Sequence, residues 1–144
     1  RTRERLIDAA DFFMPPSRDI RRMTVLGPAD LLVAVRLPSS WAGADFYFEK
    51  VADRQTWDFP LVNVAAAFRM SGSTVEDVRI VCGAVQCTPR RVRSAERTVR
   101  GQARSEQVAE AAGAAAVQGA EPLSFNGYKI PLMQSLVKRA VRGA

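Results

Sequence analysis

The spacing of the apolar residues changes at Thr88-Pro89, and this change constrains the fold more than any other feature of the sequence. Before it, short apolar runs of strand length dominate; after it, apolar residues recur every three or four positions, as on one face of a helix. Strands that precede helices, rather than alternating with them, indicate an α+β domain: an antiparallel sheet of about four strands followed by three helices packed on one face. A doubly wound fold is excluded.

Four segments are predicted to be strands, at about 30–37, 44–52, 60–70 and 75–86. Pro38 ends the first. The last two flank Ser71-Gly72-Ser73-Thr74, the clearest hairpin signal in the chain. Residues 1–29 are predicted to be irregular, because Pro15-Pro16 interrupts their apolar run.

Three helices are predicted after the strands. Thr88 and Pro89 suit the N-cap and first position of a helix that ends at Gly101. The second helix begins at Ser105, covers about 105–118 and presents small residues that allow close packing. The third covers about 128–142, and its predicted inner stripe consists of Tyr128, Leu132, Leu136 and Ala140.

The sequence offers few of the residues that an independent catalytic site needs. The 144-residue chain has no histidine, the commonest general base and metal ligand, and only two cysteines. Cys82 lies in an apolar run and is interpreted as buried, with a disulfide to Cys87 as the alternative. No glycine-rich phosphate loop follows a strand, and no metal site is predicted. No apolar run approaches the roughly 18–20 residues that span a bilayer.

The net charge of +6 raises the question of nucleic acid. The densest basic group comprises Arg90, Arg91, Arg93, Arg97, Arg100 and Arg104. No aromatic residue interleaves with it, as stacking on bases requires. A solvated helix face is the favoured interpretation, and docking to a partner protein or to nucleic acid are the alternatives.

The loop from Val51 to Pro60 carries features that a plain scaffold does not need. Lys50 precedes it, and Trp57 lies within it. A planar aromatic group and a cation at a strand end suit a flavin ring, although a tryptophan that caps the core is equally usual. Asp53 and Asp58 flank Arg54, which indicates an ion pair rather than a catalytic pair of carboxyl groups.

Several segments, in matching order, resemble one family. Cys82–Glu96 with Arg100-Gly101 resembles the signature GGV…TP-R…AE…L.GK in the C-terminal domain of the FAD-binding (medium) subunit of molybdenum hydroxylases, which include xanthine dehydrogenase, carbon monoxide dehydrogenase and aldehyde oxidoreductases. The further matching segments are Asn126–Leu132, Leu136–Ala140, Trp57–Val62, Asp11–Phe13 and Val25–Leu32 with Leu37-Pro38.

The resemblance implies two parts: residues 1–38 as the tail of the preceding FAD-binding domain with its connecting strand, and residues 39–144 as the flavoprotein C-terminal domain. It also implies an electron-transfer subunit of a multi-subunit oxidoreductase. Substrate is oxidised at a molybdenum cofactor on a large subunit, and electrons pass through iron–sulfur clusters of a small subunit to FAD and then to an acceptor. FAD would be shared with an N-terminal domain, and the isolated fragment would be inactive.

By the same resemblance, four residues would contact the flavin: Leu32, Lys50, Trp57 and Asp58. Structural alternatives remain for three of them: Leu32 in the core, Lys50 as a solvated strand end and Asp58 as a turn residue.

The start at Arg1 rather than Met indicates a processed or truncated chain. The expected partners are the chain's own FAD domain and the molybdenum and iron–sulfur subunits, without nucleic acid or membrane, in the cytoplasm or, for the parent complex, the periplasm. The rival functions are a basic interaction module without a redox role and a purely structural assembly domain.

Overall fold

A computed structural model describes residues 4–143. The predicted outer bounds at residues 1 and 144 lie outside this range. The chain forms two compact units, the first ending at Leu37 and the second beginning at Pro38. The first unit contains a short helix, α1 (Ala9–Phe12), capped by the Asp8 carboxylate, and an antiparallel bridge between Phe13 and Thr24. Both features were missed by the prediction of an irregular segment.

The second unit opens with a 3₁₀ turn at Ser39–Trp41, followed by a sheet of four antiparallel strands in the order in which they occur along the chain. The strands are β1 (Asp45–Val51), β2 (Val62–Ser71), β3 (Thr74–Gly83) and β4 (Arg90–Arg91). Three helices follow: α2 (Arg93–Val99), α3 (Glu106–Ala116) and α4 (Lys129–Arg142). The predicted α+β class, an antiparallel sheet followed by three helices, is confirmed.

The predicted strand at 30–37 is wrong. Among the described residues this segment carries no strand, and its apolar side chains at Leu31, Leu32, Val33, Val35 and Leu37 are exposed. An apolar run forms a strand only where a partner strand is available, and its sequence does not reveal whether one is. The fourth strand is instead β4, at Arg90–Arg91, which pairs with Cys82 and Val81 of β3.

The same pairing corrects the start of the first long helix. Thr88 and Pro89 are neither its cap nor its first position, because Arg90 and Arg91 still belong to the sheet and the Val92 N–H donates to the Ile80 carbonyl at 2.8 Å. Helix α2 begins only at Arg93 and ends before Gly101, whose φ of 78° suits a glycine after a helix. A local helix signal therefore yielded to tertiary pairing.

One face of the sheet and the inner faces of the helices enclose the core. The hairpin prediction is confirmed: β2 ends at Ser71, β3 begins at Thr74, and Gly72 has a φ of 60°. Helix α3 begins beside Ser105, as predicted, and the Ser105 side chain caps it. The principal buried side chains are Val62, Val64, Phe68, Val75, Val78, Ile80, Cys82, Val99, Ala109, Ala112, Leu136, Val137, Ala140 and Val141.

Helices α3 and α4 approach closely, as their small residues predict. A Cβ at Gly113 would lie 2.8 Å from the Gln134 carbonyl oxygen, so only glycine fits there. The predicted inner stripe of α4 is partly wrong. Leu136 and Ala140 are buried and Leu132 packs half-buried against the core, but Tyr128 precedes the helix and is exposed. Met133 and Val137 are buried in addition. No helix among residues 4–143 has the length and apolar character that would cross a membrane.

Cys82 is fully buried, as predicted, and this burial raises the pKa of its thiol to about 12. Cys87 is exposed, and both thiols are free. The alternative of a disulfide is wrong.

Candidate functional site

The helices cover only one face of the sheet. On β2, buried residues alternate with residues of the opposite face, where Ala65 and Ala67 lie. Phe46 and Phe48 of β1 flank them and are 70% and 67% exposed. With Val81 and Arg79 of β3, these residues line an open groove of about 450 Å³. We call this side, formed by Phe46, Phe48, Lys50, Asn63, Ala65, Ala67, Arg79, Val81 and Gly83, the helix-free face.

One end of this face is marked by a stacked cation. Trp41, in the 3₁₀ turn before β1, lies under two guanidinium groups, with the Arg79 Cζ at 5.0 Å and the Arg69 Cζ at 5.8 Å from its ring centroid. Such contacts contribute about 0.5–1 kcal/mol each at exposed sites. They fix an aromatic group beside the apolar groove.

The opposite end carries Lys50 and the loop between β1 and β2. Lys50 is exposed, and its Nζ donates to the Asp58 carbonyl at 3.1 Å. Lys50 is therefore exposed to solvent, as its alternative interpretation as a strand end predicts. The hydrogen bond to the loop nevertheless orients its charge. The Leu61 N–H donates to the Val51 carbonyl at 2.7 Å and closes the loop at its base.

Asp58 organises this loop. Its carboxylate forms an ion pair with Arg54 at 3.2 Å and accepts from the backbone N–H groups of Arg54 at 3.2 Å and Phe59 at 2.9 Å. The hydrogen bond from the Arg54 side chain is the main reason why the pKa of Asp58 is lowered from its ordinary value of 3.8. The predicted ion pair is confirmed for Asp58, and its role as a turn residue is also correct.

Trp57 projects from the same loop and is 84% exposed. Its ring meets that of Phe59 edge to face, with the centroids 5.3 Å apart. The interpretation of Trp57 as a cap on the core is wrong. Two neighbouring aromatic rings that point into solvent form a ready surface for a planar ligand, and Phe59 was not among the residues predicted for this site.

The structure thus brings Lys50, Trp57 and Asp58 together in one loop and its flanking strand end. Leu32 belongs to the first unit and is described there alone: its side chain is 54% exposed in a segment without regular structure. The interpretation of Leu32 as a core residue is wrong.

Sequence reasoning also missed Asn63 and Gly83. The strand register places Lys50 opposite Asn63, and Asn63 opposite Gly83, in a polar row across the end of the helix-free face. The only sequence signal was an asparagine inside the apolar run from Leu61 to Phe68.

The arginine-rich stretch is only partly the solvated face that was predicted. Arg91 forms an ion pair with the buried Glu96 at 2.8 Å, and Arg100 with Asp77 at 2.5 Å. Arg104 packs over the Phe68 ring at 4.4 Å and donates to the last carbonyls of α4. Half of the cluster therefore stabilises the fold, and Arg90, Arg93 and Arg97 remain exposed.

Comparisons with known proteins agree with this architecture. Residues 47–144 match the family described as the CO dehydrogenase flavoprotein C-terminal domain. The chain is 35% identical over 128 residues to the aldehyde oxidoreductase FAD-binding subunit PaoB of Escherichia coli (strain K12), a match that covers 89% of this chain and 37% of the relative. It is 31% identical over 126 residues to the carbon monoxide dehydrogenase medium chain of Hydrogenophaga pseudoflava, which covers 85% of this chain and 44% of the relative.

A solved structure of carbon monoxide dehydrogenase from Hydrogenophaga pseudoflava, which lacks the Mo-pyranopterin moiety of the molybdenum cofactor, superposes with a TM-score of 0.73 at 33% identity, covering 85% of this chain and 44% of that chain. The present chain spans less than half the length of these relatives. The chain belongs to the CO dehydrogenase flavoprotein C-terminal domain family and is homologous to the FAD-binding medium subunits of carbon monoxide dehydrogenase and aldehyde oxidoreductase.

Proposed function

We propose that this chain is the C-terminal part of the FAD-binding electron-transfer subunit of a molybdenum-containing hydroxylase, and that its helix-free face docks onto the FAD-binding part of the same subunit. One observation carries the proposal. Phe46 and Phe48 are exposed along the side of the groove, and a cation and a loop with two aromatic rings lie at its end. Large aromatic side chains exposed side by side mark a surface that a partner covers.

The residues fit the ring of FAD and not its phosphates. Trp57 and Phe59 offer exposed rings for contact with a planar group, and Lys50 supplies a positive charge beside them. Among residues 4–143, no glycine-rich turn leads from a strand into a helix N-terminus, the usual cradle for a pyrophosphate. The phosphates would be held by the part of the subunit that precedes this chain.

Each side chain then has a distinct task. Lys50 stabilises negative charge that develops on the ring as it is reduced. Asp58 holds the loop in shape through Arg54 and the Phe59 N–H, so that Trp57 and Lys50 keep their places. Leu32, by the resemblance alone, would make an apolar contact with the flavin. FAD, when bound, supplies the capacity to accept two electrons and pass them on to an acceptor.

Catalysis by the whole enzyme would be divided among subunits. Substrate oxidation would take place at a molybdenum cofactor on a large subunit, and electrons would reach this subunit through iron–sulfur clusters on a small one. The absence of histidine from the chain is consistent with a relay role, because electron transfer through a bound flavin needs no general base from this domain.

The exposed apolar segment from Leu31 to Leu37 supports the division of the chain at about residue 38. Its apolar side chains remain largely exposed within the described residues. We propose that this segment lies against the preceding FAD-binding domain, where partner strands could complete it.

The test is to express the longer subunit of which this chain is a part and to record its visible absorption spectrum. A bound flavin is expected, and both Lys50→Ala and Leu32→Ala should lower its occupancy or its rate of reduction. Lys138→Ala is the matched control, because Lys138 pairs with Glu106 and Glu110 on the helical side. Unchanged occupancy and reduction in both site variants would refute the residue assignments; retention on heparin with steep salt dependence, without flavin, would favour the basic interaction module.

A further inference from the structure

The polar row across the helix-free face contains an unusually close contact. Asn63 on β2 lies opposite Gly83 on β3. A Cβ built on Gly83 would lie only 2.1 Å from the Asn63 Oδ1, far inside van der Waals contact. Because the φ of Gly83 is not positive, glycine provides space there rather than a special backbone conformation: a larger residue would force the Asn63 carboxamide to move. The missing side chain lets the Asn63 carboxamide lie across the backbone of β3.

The carboxamide held in this way is unused. Asn63 is half-buried, yet its side chain takes part in none of the hydrogen bonds found among residues 4–143. A carboxamide offers two N–H donors and a carbonyl acceptor, and those of Asn63 remain accessible to solvent, because no buried side-chain N or O atom among the described residues lacks a partner. A solvent-accessible carboxamide that has no partner within the described residues, is given space by Gly83 and is aligned with Lys50 indicates a group available to a ligand.

The surroundings define the chemistry of that ligand. Lys50 lies opposite Asn63 on the other side, and side chains directly opposite in an antiparallel pair have Cβ atoms roughly 4.5–5.5 Å apart. The next row along the strands, Phe48, Ala65 and Val81, is apolar. The face therefore presents polar groups at its end and hydrocarbon immediately beside them. A fused ring system that is polar at one edge and apolar at the other matches this order.

We propose that Asn63 is a further flavin-contacting residue, and that its carboxamide pairs with the imide edge of the isoalloxazine ring beside Lys50. The imide alternates carbonyl acceptors with an N–H donor, which an asparagine carboxamide complements with its own donor and acceptor. Gly83 is the positioning residue, because it creates the space in which the carboxamide lies flat. This inference rests on the proposed function, since it assigns one more contact in the same site.

The experiment uses the longer subunit, stripped of FAD and titrated with FAD, with the midpoint potential of the bound flavin as a second measurement. Asn63→Ala should weaken FAD binding by roughly 2- to 12-fold, the effect of one net hydrogen bond. Asn63→Asp should in addition shift the potential to more negative values, because a carboxylate opposes the negative charge of the reduced ring. Asn63→Ser, which keeps a donor, should recover part of the loss.

Two further variants distinguish loss of the contact between Asn63 and the flavin from a general loss of folding. Gly83→Ala retains Asn63 but displaces its carboxamide, and it should reproduce the weaker binding of Asn63→Ala. Ser71→Ala, at the far exposed end of the same strand, is the control and should change neither measurement. If Gly83→Ala fails to fold, as judged by circular dichroism, the Asn63 variants still decide the matter.

The outcomes distinguish this inference from the proposed function. If the wild-type subunit binds FAD, and Lys50→Ala alters its affinity or potential while all three Asn63 variants leave both unchanged, the role of Asn63 is refuted and the proposed function stands. If the wild-type subunit binds no FAD, both are refuted. Weaker binding in Asn63→Ala, with a potential shifted to negative values only in Asn63→Asp, supports the assignment.

Discussion

The two faces of the sheet are formed by the same strands but differ in what covers them. On the helix side, Val62, Val64 and Phe68 of β2 are fully buried and belong to the core that the helices enclose. On the helix-free side, Phe46 and Phe48 of β1 remain largely exposed, although they are as apolar as their buried counterparts. The central strand β2 is apolar on both sides, from Val64 to Phe68, a pattern typical of strands that are covered on both faces.

This difference separates what folds the domain from what the domain offers to a partner. The helix side supplies the core. The buried apolar residues at alternate positions of the strands account for the packing of the sheet against the helices. The apolar character of the other side contributes little to the isolated domain and becomes useful only when a second surface covers it. Stability is therefore assigned to one set of alternate residues in these strands, and the proposed docking surface to the other set.

The comparison is tested most strongly by removing one aromatic ring from each face. Phe68→Ala should lower the free energy of unfolding by about 3–5 kcal/mol, because it leaves a cavity in the core. Phe48→Ala should lower it by less than about 0.5 kcal/mol, since the side chain is exposed. Urea denaturation of both variants measures the difference, and equal losses would contradict the separation of the two faces.

A second prediction concerns how the helix side completes the sheet. Strand β4 ends at Arg91, and the next N–H on β3, that of Ile80, donates to the Glu96 carboxylate at 3.0 Å instead of to a strand. Glu96 is 3% exposed and also accepts hydrogen bonds from two nitrogen atoms of the Arg91 guanidinium. Glu96→Gln should therefore reduce the free energy of unfolding by about 1.5–3 kcal/mol, the contribution of a hydrogen bond to a charged group.

The matched control for Glu96→Gln is Glu76→Gln, which removes an ion pair with Arg69 in which the Glu76 side chain is 54% exposed. That change should reduce stability by at most about 1 kcal/mol. A loss in Glu96→Gln no larger than in Glu76→Gln would mean that the buried carboxylate does not stabilise the end of the sheet.

Much of the fold could be predicted from the sequence because its signals are local. Gly72 in the hairpin and Ser105 at the start of α3 depend on backbone angles and on neighbours a few residues away. The wrong predictions concern segments whose structure depends on residues that are distant in the sequence. The segment 30–37 has strand character but no ladder, and Thr88-Pro89 has helix character but is followed by residues that pair with β3.

The candidate site divides in the same way. Lys50, Trp57 and Asp58 are close in sequence, so a single loop brings them together, and their resemblance to a known pattern identified them. Asn63 and Gly83 are twenty residues apart, and their contact depends on the register of β2 against β3. No local pattern encodes that register, so these two residues became candidates only in three dimensions.

A third prediction concerns Ala84, which follows β3 at the end of the sheet that carries the polar row. Its φ is 62°, which costs roughly 1–2 kcal/mol for a residue with a Cβ. Lys129 Nζ of α4 donates to its carbonyl at 2.8 Å and helps to hold it there. Ala84→Gly should raise the free energy of unfolding by about 0.5–1 kcal/mol, after allowance for the greater freedom of glycine in the unfolded chain.

The control for Ala84→Gly is Ala120→Gly, an exposed position where φ is not positive. There the same substitution should lower stability by about 0.4–1 kcal/mol, because only the unfolded-state effect remains. Urea denaturation again measures both. Loss of stability in both variants would show that Ala84 is not strained.

The smallest effect is expected in the loop at the end of the helix-free face, and pH reveals it. The hydrogen bond from Arg54 lowers the pKa of Asp58 below 3.8, so the folded loop favours the ionised carboxylate. Its stabilising contribution is fully present above the unfolded value and is lost as pH falls through the lower folded value. In a Trp41→Phe background, Trp57 fluorescence should therefore stay constant from about pH 7 to pH 5. It should change only below 3.8.

Asp58→Asn provides the control, because an amide does not titrate and the acid transition of Trp57 fluorescence should vanish. Far-UV circular dichroism recorded at the same pH values distinguishes this local change from acid unfolding of the sheet. If the transition persists in Asp58→Asn while the circular dichroism is constant, another group controls Trp57. If it disappears, the loop that carries Trp57 is held by Asp58 independently of the helix-covered core, as expected if the two faces of the sheet respond separately.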